Sequence, residues 1–339
     1  MYVGLGRLRA WLISVYCACG MDVRYSTEMA DAMMYATLIG TNNGEHDISD
    51  IFSRVTMIRR GEINLTPAIR KEATYGAVER WNGDKGAGEI VSMAAMKRAV
   101  ELAQEYGVGI CAMRNSNHCL ASAVYAAYAR SQGCIGIHLC KGYPTVAAPG
   151  RREGSIGALP MAYALPGAEH PLAFDGCLAY ASMGKLREMI QKGSPIPDYW
   201  GLDKNGEPST DPEAVLAGAR LPIGGHKGYA LQILGEVLTG VLSDGCVIDE
   251  KPANDSGSIM SHTAIAIKTD AFLEKGRFEE HVQYMVERMK ARSPEVHLPG
   301  EGALARAEER RRSDAFDMTD ALAERMRTLS EELGIESPV

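Results

Sequence analysis

Residues 221–243 read LPIGGHKGYALQILGEVLTGVLS, and the glycines set directly before this apolar run decide how the chain is read. Gly224, Gly225 and Gly228 mark the start of a helix reaching to about Asp244, with Lys227 as a cation in its first turn. The first N–H groups of a helix have no partner within it and carry the positive end of its dipole, so this start suits a phosphate. A second such start lies upstream. There a strand-like run, 108–113, leads into Asn115-Ser116-Asn117-His118 and a helix of small residues to about Ser131. Either set of residues would equally serve a tight left-handed turn opening a buried helix. The GxGxxG fingerprint of the doubly wound dinucleotide fold is absent. Gly4-Leu5-Gly6 and Gly86-Ala87-Gly88 lack the third glycine and follow no strand that opens a βαβ unit.

Outward from these loops, the chain has the composition of an ordinary globular protein: 339 residues, 46% hydrophobic and 23% charged. A net charge of -7 supplies no basic field for nucleic acid or an anionic membrane, so a small soluble substrate is expected. None of the eight cysteines forms a CxxC pair and most sit in apolar runs, which reads as reduced buried thiols with no metal site. Arg7 and Arg9 before WLISVYCAC resemble a short leader, but Leu5, Leu8, Leu12 and Cys19 recur at helical spacing and Gly20 stops the run. The expected location is therefore the cytoplasm, with no run long enough to span a bilayer.

Two helices are expected to open the chain, ending near Gly20 and Gly40, the second starting at Ser26-Thr27-Glu28. A polar loop, 41–47, precedes a third helix with Ile48, Ile51, Phe52, Val55 and Ile58 inward, which places His46 just ahead of a helix start. Further helices are expected over 89–106 and 269–292, strands over 135–140, 158–164, 171–175 and 263–267, and a charged helical stretch beyond the Leu298-Pro299-Gly300-Glu301 turn. The expected division is a discontinuous helical domain, 1–75 with 293–339, and a cofactor-binding sheet domain, 76–292, including a helical elaboration over 181–245.

Taken in order, NSNH with CLASAVYAAYA, VAAPGRREGSIGALPMAYALP, FDGC, MGKL, PIPDYWGLDKNGEPSTDP, LPIGGHKGYALQILGEVLTGVLS and LPGE resemble one family over nearly the whole chain. It is the malate/L-lactate dehydrogenase family, which also includes sulfolactate, ureidoglycolate and diketogulonate enzymes and a cyclic-imine reductase. The resemblance implies an α/β (α+β) non-Rossmann fold of the sulfolactate-dehydrogenase type, with a mixed, largely antiparallel sheet surrounded by helices. It also implies a homodimer and an NAD or NADP cofactor. By position, the cofactor would touch His118, Cys119, Leu120, Ala121, Ser122, Asp175, Gly176, Cys177, Met183, Gly184, His226, Lys227, Gly300, Glu301 and Gly302. Asp175 could bond the cofactor ribose or cap a turn after a strand.

In that family the proton donor is the His of an S-H-G motif, a position His46 holds here, although a loop histidine can also be simply solvated. Its neighbours depart from the motif: Glu45 and Asp47 stand for Ser and Gly. Asp50 replaces an Arg that grips a substrate carboxylate, with Arg54 one turn on as a possible substitute. The GTNP motif reads Gly157-Ala158-Leu159-Pro160, so Glu45, Asp47, Asp50, Arg54 and Ala158 are the expected substrate-side residues. These changes suggest an altered substrate, with a cationic imine facing Asp50 as one form of it. Gly302 and Met183 stand where arginines are frequent, which favours NAD over NADP. The expected activity is hydride transfer between NAD(P)H and a small 2-oxo or 2-hydroxy acid or related imine. The alternatives are a cyclic-imine reductase and a degenerate homologue that binds cofactor without redox activity.

Overall fold

The computed structural model describes residues 1–40, 47–167, 172–250 and 260–339. Its helices are α1 (Leu5–Ala18), α2 (Val23–Ile39), α3 (Ile51–Arg59), α4 (Gly88–Tyr106), α5 (Ala123–Ser131), α6 (Met183–Gln191), α7 (Pro212–Ala217), α8 (His226–Glu236), α9 (Arg277–Arg292), α10 (Glu301–Ser313) and α11 (Asp320–Leu333).

The first helices form because their apolar residues recur at helical spacing. Leu8, Leu12, Val15 and Tyr16 of α1 meet Met29 and Met33 of α2, all fully buried. Each such side chain contributes about 2 kcal/mol by leaving water. The start of α2 differs from expectation: Asp22 caps it, accepting the Arg24 N–H at 2.8 Å, and Ser26 is buried inside the helix. Phe316, Met318, Ala323, Met326 and Leu329 complete the same core from the far end of the chain. They are brought there by an unexpected short strand, Ala315–Asp317, which pairs antiparallel with Tyr2–Gly4 and interrupts the C-terminal helical stretch.

The main sheet has seven strands in the order Arg70–Tyr75, Val78–Asn82, Val108–Ser116, Met260–Lys268, Cys134–Cys140, Met161–Ala164 and Ala173–Gly176. Every neighbouring pair is antiparallel except Val78–Asn82 with Val108–Ser116. The expected mixed, largely antiparallel non-Rossmann sheet is therefore what forms. Val108–Ser116 and Cys134–Cys140, which flank α5 in sequence, are not neighbours, because Met260–Lys268 lies between them and pairs with both. The first of these strands runs to Ser116 rather than 113, so half of the NSNH segment is strand, with Asn115 at φ 56°. Similarly, 269–292 is not one helix: a short turn at Thr269–Ala271 precedes α9, whose N-cap is Gly276.

Glu79 ties the first hairpin to α4. Its carboxylate accepts from Arg98 at 2.9 and 3.0 Å, from the Trp81 indole at 2.8 Å and from Lys71 at 3.3 Å. The hydrogen bonds from Arg98, with those from Trp81 and Lys71, outweigh burial and pull its pKa down to about 2. Among the described residues no helix is long and apolar enough to cross a membrane.

Candidate functional site

His46 and Glu45 lie outside the described residues, but both flanks of their segment are anchored. At the end of α2, Ile39 O accepts from Arg306 at 3.0 Å, while Gly40 O accepts from Arg306 at 3.3 Å and Arg310 at 3.0 Å. Those arginines on α10 satisfy the last carbonyls of the helix, which have no partner inside it. On the other side Asp47 is buried. Its carboxylate accepts the Ser49 N–H at 2.8 Å and Ser49 Oγ–H at 2.6 Å, capping the turn Ile48–Asp50 that feeds α3.

Arg54 reaches inward from α3, and its guanidinium is already engaged. Nε donates to Glu89 Oε1 at 2.6 Å, and one terminal nitrogen reaches His118 Nδ1 at 3.0 Å and His118 O at 3.1 Å. An Arg nitrogen can only donate, so Nδ1 accepts and the His118 imidazole proton sits on Nε2. Both charges of the Arg54–Glu89 pair are at most 3% exposed. Burial works against the Arg54 cation, but Glu89 and Asp50 beside it raise its pKa above the ordinary value. These contacts engage the guanidinium on both edges and tie the 117–120 loop to α3 and α4. Asp50, likewise, has Arg54 as a cation in its neighbourhood. The loop and α4 also meet without spare room, since a Cβ on Gly88 would lie 2.2 Å from Asn117 O.

The two helix starts flagged by the sequence differ in character. The first N–H of α5, on Ala123, donates to the Asp175 carboxylate at 2.9 Å, so an acid from the neighbouring strand already occupies it. No side chain caps α8, and Gly224 and Gly225 hold φ of 60° and 61° with open space where their side chains would be. His226 and Lys227 are both exposed there. The open anion-ready end is that of α8.

Leu178 joins three of the sequence blocks. Its N–H donates to Ala158 O at 2.7 Å, and its carbonyl accepts the Ile223 N–H and Gln232 Nε2–H, each at 2.9 Å. Gly176 and Cys177 lie at the start of this 176–179 link. Met183 and Gly184 open α6, where Ser182 Oγ accepts the Lys185 N–H at 3.0 Å. The Gly300 turn packs on strand Ala173–Gly176, with the Ala173 N–H donating to Pro299 O at 3.1 Å. Glu301 is held by Lys290 at 2.9 Å and the Leu298 N–H at 3.2 Å, which keeps its carboxyl below the usual range. Gly302 lies beside the Arg306 guanidinium, which faces the end of α2 instead.

Three residues that sequence reasoning missed complete the centre. Lys141, directly after strand Cys134–Cys140, is fully buried, 3.2 Å from Glu236 on α8, and donates to Ile248 O at 2.5 Å. Lys141 and Glu236, with Gly142, Gly157, Leu159 and Gln232, line a narrow niche that has no room for a water molecule as it stands. His262, opposite Cys140 in the sheet, is fully buried and bonds Ser116 Oγ at 2.9 Å and Asn117 O at 3.1 Å. His138 stacks on it at 5.5 Å, and burial holds His138 neutral, well below its usual pKa. The available signal was position: a lysine immediately following an apolar strand is either at the protein surface or buried and paired. His262 carried no motif at all. The 118–122 loop approaches this centre through Cys119, whose sulfur lies beside Cys140 and His262.

The sequence matches the malate/L-lactate dehydrogenase family over residues 3–327. It is 30% identical to the malate/(S)-sulfolactate dehydrogenase of Methanothermus fervidus over 335 residues, 97% of each chain. Among solved structures, the sulfolactate dehydrogenase from Methanocaldococcus jannaschii superposes with a TM-score of 0.89 at 29% identity, covering 99% of this chain and 98% of that one. The delta1-piperideine-2-carboxylate reductase from Pseudomonas syringae shares the fold, with a TM-score of 0.88 at 23% identity over 97% of this chain and 99% of that one. Fold and site thus define a dehydrogenase of the non-Rossmann kind. The chain belongs to the malate/L-lactate dehydrogenase family. It is an enzyme, a dehydrogenase or reductase of small hydroxy acids that works with a nicotinamide cofactor. The residues present fit such a group, since the uncapped start of α8 with exposed Lys227 can take a pyrophosphate.

Proposed function

We propose that this chain transfers hydride between NAD and a small 2-oxo or 2-hydroxy acid, or a related imine, with a pocket altered from the malate and lactate type. The observation that carries this reading is the buried Lys141–Glu236 pair, set between the end of a central strand and the helix whose start is open to an anion. A buried ammonium there attracts a carboxylate or polarises a carbonyl, with Glu236 as its partner in the absence of substrate. The bond from Lys141 to Ile248 O is the one a substrate oxygen would replace, which requires the niche to widen as substrate enters.

The bound cofactor supplies the hydride. His46 gives or takes the proton on the substrate oxygen or nitrogen. His118 to Ser122, Asp175 to Cys177, Met183-Gly184, His226-Lys227 and Gly300 to Gly302 line the cofactor, with the pyrophosphate at α8. Asp47 and Asp50 act by charge around the substrate, Ala158 by shape, and Arg54 by positioning the His118 loop. The Arg306 guanidinium beside Gly302 is engaged by Ile39 O and Gly40 O at the end of α2 rather than held for a 2′-phosphate, which supports NAD.

The same reading includes a cytoplasmic homodimer and the division into a helical domain, 1–75 with 293–339, and a sheet domain, 76–292. A row of exposed apolar residues along α8 and beyond, Leu231, Leu234, Val237, Val241 and Leu242, supports pairing of two copies. Fluorescence titration with NADH and NADPH, followed by turnover with oxaloacetate, pyruvate and a cyclic imine, tests the proposal. NADH binding with turnover of one of these classes is expected, and His46→Ala lowers kcat while leaving NADH affinity within about threefold. If the wild-type chain binds neither dinucleotide, the proposal fails.

A further inference from the structure

We infer that Cys119, Cys140 and His262 form a buried site for zinc or a similar thiophilic ion. Among the described residues, these three present ligand atoms that all lie within 4.8 Å of one another, and all three are at most 3% exposed. They come from three separate segments: the cofactor loop before α5, the end of strand Cys134–Cys140, and the start of strand Met260–Lys268. No sequence spacing marks them, which is why the chain reads as having no metal site from its cysteines alone.

The sheet register does the assembling. His262 and Cys140 are direct cross-strand partners, so their side chains leave the same face of the sheet as neighbours. A register shift between Met260 and His262 turns the histidine toward the NSNH segment. There its Nε2 meets Ser116 Oγ at 2.9 Å and Asn117 O at 3.1 Å. A carbonyl can only accept, so the proton sits on Nε2 and the lone pair on Nδ1. Nδ1 is fully buried with no hydrogen-bond partner among the described residues. A ring nitrogen held in one tautomer by a backbone carbonyl, with the other nitrogen left bare, is the arrangement that metal-ligating histidines adopt.

Charge favours the same conclusion. A divalent ion with two thiolates and a neutral imidazole carries no net charge, so the complex can sit in a core where an isolated ion could not. Each thiol gives up its proton to solvent as it binds, so two protons leave for each ion that enters. Tetrahedral Zn–S and Zn–N lengths of about 2.3 and 2.0 Å put ligand atoms about 3.5–3.8 Å apart, so the three need close by only about an ångström. Three protein ligands leave one coordination position open for water or an anion. The ion would pin the 118–122 loop to the two strands that flank Lys141.

The test is titration of the metal-free, reduced full-length enzyme with Co2+ and Zn2+, read by absorption and by elemental analysis. One ion per chain and a sulfur-to-cobalt charge-transfer band are expected. Cys140→Ala should diminish that band, and both Cys140→Ala and His262→Asn should weaken zinc binding by roughly tenfold or more. X-ray absorption of the zinc-loaded wild-type enzyme should report two sulfur ligands and one nitrogen, a readout that needs no variant to fold. Failure of the wild type to bind a stoichiometric ion, an undiminished band in folded Cys140→Ala, or a sulfur-free zinc shell overturns the inference.

Discussion

Arg54→Met isolates what the buried ion pair between α3 and α4 does. The Arg54–Glu89 contact is 2.6 Å with both partners at most 3% exposed, and Glu89 Oε2 already lacks a partner among the described residues. Removing the guanidinium strands a carboxylate in the core, a change that costs about 3–5 kcal/mol. Replacing both residues, as in Arg54→Met with Glu89→Leu, removes the stranded charge and should return most of that loss. The two hydrogen bonds from Arg54 to His118 are not restored by the second substitution. At about 1 kcal/mol each, their loss should raise the KM for dinucleotide roughly tenfold to thirtyfold in both the single and the double variant. Urea unfolding at neutral pH, combined into a double-mutant cycle, gives the coupling energy, and steady-state kinetics gives KM. A coupling below about 0.5 kcal/mol would refute the argument that the pair acts as a unit. Unchanged KM in the double variant would refute the positioning role of Arg54.

Glu79 sits in its Arg98 network with a pKa of about 2, below the unfolded value, so its contribution is present above about pH 4.5 and lost as pH falls toward 2. Allowing for the part-exposed Arg98, it is worth about 2–3 kcal/mol, and acid titration of stability in Glu79→Gln should lack this step. Lys141→Met should lower kcat/KM by roughly tenfold to a hundredfold, the worth of a charged hydrogen bond to substrate, as measured by steady-state kinetics. Lys141→Arg should not rescue it, because the niche between the Glu236 and Ile248 contacts has no room for the wider guanidinium. Gly225→Ala meets no atom, so its effect is backbone strain alone, about 1–3 kcal/mol at φ 61° and ψ -125°. Calorimetry should read that strain, and dinucleotide KM should rise as the start of α8 shifts.

The elements most legible in the sequence were those with a strong local signal. Helical periodicity from Leu5 to Cys19 and over 89–106 located α1 and α4, and the glycines at 224–228 located the start of α8. Boundaries slipped where a competing side chain took over, as when Asp22 capped α2 ahead of Ser26. The N- and C-terminal strand pair was invisible because three-residue strands carry no period and their pairing depends on packing between distant segments. Motif blocks marked the loops but did not single out Lys141, Glu236 or His262, whose placement arises from strand register and burial. Arg54 was read from helix spacing alone, and spacing does not reveal a buried acid on another helix.

The pairing of Tyr2–Gly4 with Ala315–Asp317 sets an order of events during synthesis. The hydrophobic cluster of α1 and α2 stays open until Phe316, Met326 and Leu329 emerge to cover it. On the ribosome the opening helices therefore wait with greasy faces uncovered while the whole sheet is made, a long-range closure of the kind that slows folding and invites chaperones.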